Sequence, residues 1–94
     1  MIGYVMVGTN DLARSTKFYD ATLAPLNLIQ VECLDIYTAY ANKDARDAIE
    51  LYVTKPFDQE AATVGNGSMI ALKAPSMEAL TQFHITGQKN GGTD

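Results

Sequence analysis

Shifted by 65 residues, this chain falls on itself. Gly3-Tyr4-Val5-Met6-Val7 lies over Ser68-Met69-Ile70-Ala71-Leu72, and both runs have the alternating pattern of a strand. Asp11 lies over Ser76, two residue types that cap helix N-termini. Thr16-Lys17-Phe18-Tyr19 lies over Thr81-Gln82-Phe83-His84. A strand, a turn and a helix are therefore expected twice. A repeat of this length constrains the architecture more than any composition does.

The first copy reads in full. Met1–Gly8 is expected as a strand, with Ile2, Tyr4 and Met6 on one face and Gly3, Val5 and Val7 on the other. Asp11 caps a helix whose inner positions are Leu12, Ser15, Tyr19, Leu23 and Leu26. Pro25 ends it, because the residue before a proline resists the helical region. Three strands follow, Leu28–Cys33, Ile36–Ala41 and Ala48–Val53, rich in Ile, Val and Tyr. Between the last two, Asn42–Asp47 is a polar hairpin loop.

Lys55–Gly67 holds Pro56, Gly65 and Gly67 and reads as a linker. The pattern then restarts with a strand at Ser68–Lys73 and a helix at Met77–Asn90. That helix is expected to present Met77, Leu80, Phe83 and His84 on its apolar face, with His84 as a packing residue and not a catalytic one. The Gly91-Gly92 pair stops it. No three further strands follow, so the second copy is expected to be partial, with an uncovered strand edge. The expected architecture is one α+β domain over residues 1–94. It comprises a βαβββ module (1–54), a linker (55–67) and a partial second βα module (68–94), with a mixed sheet and the helices on its convex face.

The bulk numbers exclude some functions. A net charge of −4 does not suit nucleic acid, which needs a basic stripe. No apolar run approaches the roughly 18 residues of a membrane span. The N-terminus lacks the basic stretch and apolar core of a signal peptide, so a cytoplasmic location is expected. Cys33 is the single cysteine and is expected as a small apolar strand residue. Gly65-Asn66-Gly67 precedes a strand and lacks the Lys-Ser/Thr ending of a phosphate loop.

The opening V-G-T-N-D-L-A-R-S-T-K-F-Y-D-A-T-L-A-P-L from Val7 to Leu26, the Ile49-Glu50-Leu51 triplet, and Gly67–Gly92 with its Phe83-His84 pair together resemble the vicinal oxygen chelate superfamily. That superfamily includes glyoxalase I, bleomycin-resistance proteins and extradiol dioxygenases. The resemblance implies paired βαβββ modules around a cleft. In metal-dependent members it implies four ligands there, usually His from each module's first strand and Glu from each last strand. Carried onto this chain, the two first-strand positions are Tyr4 and Met69, and Glu50 is the one candidate ligand left. One carboxylate is too few for a catalytic divalent metal. Neither a metal nor any other cofactor is therefore expected.

Strand alternation places Tyr4, Met6, Glu50, Tyr52 and Met69 on the concave face as candidate ligand-binding residues. The resemblance then favours small-molecule binding in a cleft without the usual metal ligands, with sequestration or resistance as its biological form. The alternative is a lyase, isomerase or dioxygenase of the same superfamily, either metal-dependent or using Glu50 and Tyr4 as an acid–base pair. A third reading is a truncated product with no activity of its own. The expected partners are a small molecule and a second copy of the chain. A homodimer would cover the open edge, with segment exchange as one route.

Overall fold

A computed structural model describes residues 1–93. The chain runs through β1 (Val5–Gly8), α1 (Leu12–Leu23), a 3₁₀ turn (Ala24–Leu26), β2 (Leu28–Cys33), β3 (Tyr37–Asn42), β4 (Ile49–Thr54) and α2 (Met77–Lys89). The four strands form one mixed sheet in the order β1-β4-β3-β2. β1 is parallel to β4, and the other neighbours are antiparallel. This is the expected βαβββ unit, followed by one more helix.

Local chemistry explains the first helix. The Asp11 carboxylate accepts from the Arg14 amide at 3.1 Å, satisfying a donor of the open first turn. Pro25 takes the chain into the 3₁₀ turn. Asn27 closes that turn at φ 65°, a left-handed conformation that asparagine tolerates, with its N–H on the Ala24 carbonyl at 3.0 Å.

One face of the sheet and the inner face of α1 make the core. Leu23, Leu26, Tyr40, Leu51 and Val53 are buried, with Val5, Val7, Leu12, Tyr19, Leu28, Ala74 and Phe83 packed around them. Tyr40 is wholly buried, and its hydroxyl donates to Asp20 Oδ1 (2.9 Å) and the Thr16 carbonyl (3.2 Å). The Thr38 and Thr16 hydroxyls pair at 2.8 Å. The sheet thus fastens to α1 with polar contacts that water cannot replace.

Three expectations need correction. β1 begins at Val5, not Met1: Val5 pairs with Leu51, beyond which β4 bulges at Glu50 and the ladder to β1 does not continue. Ser68–Lys73 alternates like β1 but forms no strand. Its recorded backbone bond is the Ser68 N–H on the Gly65 carbonyl (2.8 Å), a turn, and no ladder joins it to the sheet. Alternation supplies the propensity, but a strand needs a partner.

The third correction concerns α2. It packs on α1 and the 3₁₀ turn, burying Ala79 and Gly87, with Phe83 against the core. A Cβ at Gly87 would stand 3.8 Å from the Thr22 methyl, so the helices approach closely there. Consequently Met77 (75% exposed), Leu80 (48%) and His84 face outward. His84 is therefore not a packing residue. Of the expected stripe of Met77, Leu80, Phe83 and His84, only Phe83 packs against the core.

The linker is held at its start by the Lys55 N–H on the Ile36 carbonyl (2.9 Å) and again at Ala62. The Asn10 side chain donates to the Ala62 carbonyl (3.2 Å) and accepts from the Ala62 N–H (2.7 Å). Gly8 lies directly below: a Cβ there would come within 3.2 Å of the Ala62 Cβ.

Candidate functional site

The sheet face opposite the helices is open. Val5, Leu51, Val53 and Tyr40 point to the core, so their neighbours Tyr4, Met6, Tyr52 and Ala39 point the other way. Met6, Tyr52, Ala39 and Glu32 form one row across all four strands. Tyr4, Met6 and Tyr52 thus share the sheet face opposite the helices.

Three tyrosines cluster on this face. The Tyr4 and Tyr52 rings meet edge to face with centroids 4.9 Å apart, and Tyr52 meets Tyr37 in the same way at 5.1 Å. This is the geometry that aromatic quadrupoles prefer. Ala39, between Tyr37 and Tyr52, is completely buried although it lies on the open face. The Tyr37 hydroxyl donates to the Glu32 carboxylate. That hydrogen bond, followed by desolvation and the nearby negative charge, pushes the Tyr37 phenol up to about 12 from 10.0.

Tyr37 and Glu32 are absent from the residues that alternation nominates. Glu32 reaches this face through a bulge: Gln30 pairs with Tyr40 on the core side, yet Glu32 pairs with Ala39 on the open side. Strict alternation from Leu28 would send Glu32 to the helices. Tyr37 could have been found, because it alternates with the small residues Ala39 and Ala41, which leave space beside a large ring.

Two grooves flank the cluster. One, of about 740 Å³, lies where β1 and β4 end and is lined by Met6, Ile36, Tyr37, Thr54 and Phe57, with Lys55 at its rim. Phe57 is fully exposed in it. The other, of about 680 Å³, runs along the free edge of β1 and holds Met6, Val7, Val64, Met69 and Ile70. Met6 belongs to both. Met69 is therefore near Met6, but it is 88% exposed and away from the rings. Glu50 is exposed at a β4 bulge, at the opposite end of the strand from the larger groove. The structure brings together Tyr4, Met6 and Tyr52, sets Met69 beside Met6, and leaves Glu50 apart.

The donor set does not fit a divalent metal. Tyr4, Met69 and Glu50 offer a phenol, a thioether and one carboxylate, and Met69 and Glu50 lie on opposite sides of β1. Among the described residues, no three His, Cys, Asp or Glu side chains converge as a metal site would require. What the face can supply is π surface, the Met6 thioether and a carboxylate.

Among solved structures, the chain is similar to a glyoxalase/bleomycin resistance protein from Albidiferax ferrireducens T118. The two share 39% identity and a TM-score of 0.87, over 99% of this chain and 72% of that one. No family model and no curated protein matches the sequence.

Proposed function

Since the chain belongs to the glyoxalase/bleomycin resistance family, we propose that its open sheet face binds a small organic molecule without a metal and holds it without turning it over. The observation that carries this reading is the tyrosine cluster. Tyr4, Tyr52 and Tyr37 stand on an exposed face with Met6 beside them, where a folded chain would otherwise place polar side chains. Glu32 adds a carboxylate, so a flat ligand with a positive charge suits the face by stacking, cation–π attraction and ion pairing. The Tyr4 and Met69 positions support the metal-free part. Sequestration in the cytoplasm is the biological form this reading takes.

A thermal-shift panel of cationic and aromatic small molecules tests the proposal. A ligand at a hundredfold excess over its Kd stabilises the folded state by about 2.7 kcal/mol, enough to raise the midpoint by several degrees. The Tyr52→Ala variant should lose that shift. If no compound stabilises the wild-type protein, the proposal fails. Elemental analysis tests the metal-free part on its own: one divalent metal per chain in the purified protein would overturn it.

A further inference from the structure

Two of the five asparagines in the chain are followed by glycine, Asn66-Gly67 and Asn90-Gly91. Asparagine carries its own route to covalent change. The main-chain nitrogen of the next residue can attack the side-chain Cγ and close a succinimide ring. A Cβ on that next residue obstructs the approach, and glycine has none. The other three asparagines precede Asp11, Leu28 and Lys43, whose side chains stand in the way. The chemistry narrows to two places, and the fold treats them in opposite ways.

Asn90 is the C-cap of α2 and is held from several sides. Its side-chain amide donates to the Thr86 carbonyl at 2.9 Å. Its own N–H lies between the Thr86 and Gly87 carbonyls (3.1 and 3.2 Å), and the Gly92 N–H bonds the Gly87 carbonyl at 2.8 Å. Swinging Cγ onto the Gly91 nitrogen would break this cap. Asn66 has no such restraint. It sits in the turn closed by the Ser68 N–H on the Gly65 carbonyl (2.8 Å), between Gly65 at φ 64° and Gly67 at φ 94°. Among the described residues, nothing hydrogen-bonds its side chain or the Gly67 N–H. A Cβ added at Gly67 would meet no atom within 4 Å, so no packing fixes the turn there. Glycine on each side leaves the backbone free to rotate into the reactive geometry.

We propose that Asn66 is a site of spontaneous deamidation, and that the α2 cap protects Asn90 from the same reaction. The Gly67 nitrogen loses its proton and bonds to Asn66 Cγ. The Cγ–Nδ2 bond breaks, and ammonia leaves with that proton. Water then opens the succinimide at either carbonyl, leaving aspartate or isoaspartate at position 66. Both products add a negative charge to the turn. Isoaspartate also lengthens the main chain by one carbon just before Ser68. The turn borders the Met6–Met69 groove, whose lining includes Gly65 and Ser68. The reaction therefore changes the charge at that rim as the protein ages, whether or not the open face binds a ligand.

Peptide mass mapping of the purified chain, aged in mildly alkaline buffer with and without denaturant, decides it. In the folded chain the peptide holding Asn66 should gain the mass of an NH2-to-OH exchange and separate into aspartate and isoaspartate forms. Conversion should quicken as pH rises, because the attacking nitrogen must lose its proton. The peptide holding Asn90 should stay unchanged until denaturant opens the cap, and then convert like the first. Gly67→Ala should slow conversion at position 66 by about tenfold, equivalent to about 1.4 kcal/mol of barrier. Asn66→Gln should stop it on the same timescale. Far-UV circular dichroism shows whether each variant is folded, and the wild-type rates stand regardless. An Asn66 that survives in the folded chain while the denatured chain converts overturns the proposal. Equal rates at positions 66 and 90 in the folded chain overturn the protection assigned to the cap. No ligand enters either measurement, so this proposal and the ligand-binding one fail separately.

Discussion

The two copies of the repeat meet different fates. Residues 5–8 are a sheet strand, whereas their counterparts at 70–73 are exposed chain with no ladder. The helices, by contrast, both form, and they even share their caps. Asp11 accepts from the Arg14 amide and Ser76 from the Ala79 amide, each at 3.1 Å and at equivalent positions. A helix closes its own backbone bonds and needs only a cap and one buried face. A strand borrows its bonds from a neighbour. The same sequence pattern therefore suffices for one element and not for the other.

Core truncation separates the two copies most sharply. Leu23 is fully buried beneath the sheet, so Leu23→Ala should cost about 3 kcal/mol in chemical denaturation. Leu72 carries the second copy's strand pattern but packs on nothing comparable. Leu72→Ala should stay within about 0.5 kcal/mol at protein concentrations low enough to exclude association. A similar loss at both sites would mean that Ser68–Lys73 is covered within its own chain.

The caps should show the reverse, a likeness. Asp11→Ala and Ser76→Ala are each expected to cost about 1 kcal/mol, because each leaves one amide of the first turn unbonded. Since α2 packs on α1, hydrogen exchange should show Ser76→Ala loosening α2 first, whereas Asp11→Ala should weaken the whole unit. Equal protection losses across both helices in both variants would erase that distinction.

Removing the Tyr40 hydroxyl probes how the first copy is fastened. Tyr40→Phe keeps the ring in the core and gives up the bonds to Asp20 and Thr16, at a cost of about 1 kcal/mol in thermal or chemical unfolding. No change would show that those bonds add nothing beyond packing.

These contrasts explain what could be read from the chain before its fold was known. The βαβββ order, the Asp11 and Ser76 caps and the open-face positions of Tyr4, Met6 and Tyr52 follow from periodicity and capping, which are local. The helix-one core positions Leu12, Tyr19, Leu23 and Leu26 were legible for the same reason. The failures are all non-local. Ser68–Lys73 needs a pairing partner that the pattern does not contain. The inner face of α2 depends on its meeting α1, so Ala79 and Gly87 displace Met77, Leu80 and His84 from the interface. Glu32 turns on a bulge set by the register of β2 against β3, which leaves no mark in composition.

The bulge leads to the smallest effect, which is also the most specific to the open face. In the folded chain Tyr37 titrates near 12 because its hydroxyl is held by Glu32; in the unfolded chain it returns to about 10. Its folded value is the higher one, so the stability that Tyr37 contributes is complete below pH 10 and is lost as pH rises through 12. Burial also raises Tyr19, and burial with the Asp20 bond raises Tyr40, so both titrate later than a free phenol and belong with Tyr37 to the late group. Glu32→Gln removes the charge and weakens the acceptor while preserving size. In a phenolate absorbance titration, one tyrosine should then move from the late group toward 10, with the signals of Tyr19 and Tyr40 unchanged. If the late group stays intact in Glu32→Gln, the bulge does not deliver Glu32 to the tyrosine cluster, and the carboxylate assigned to the binding face is not there.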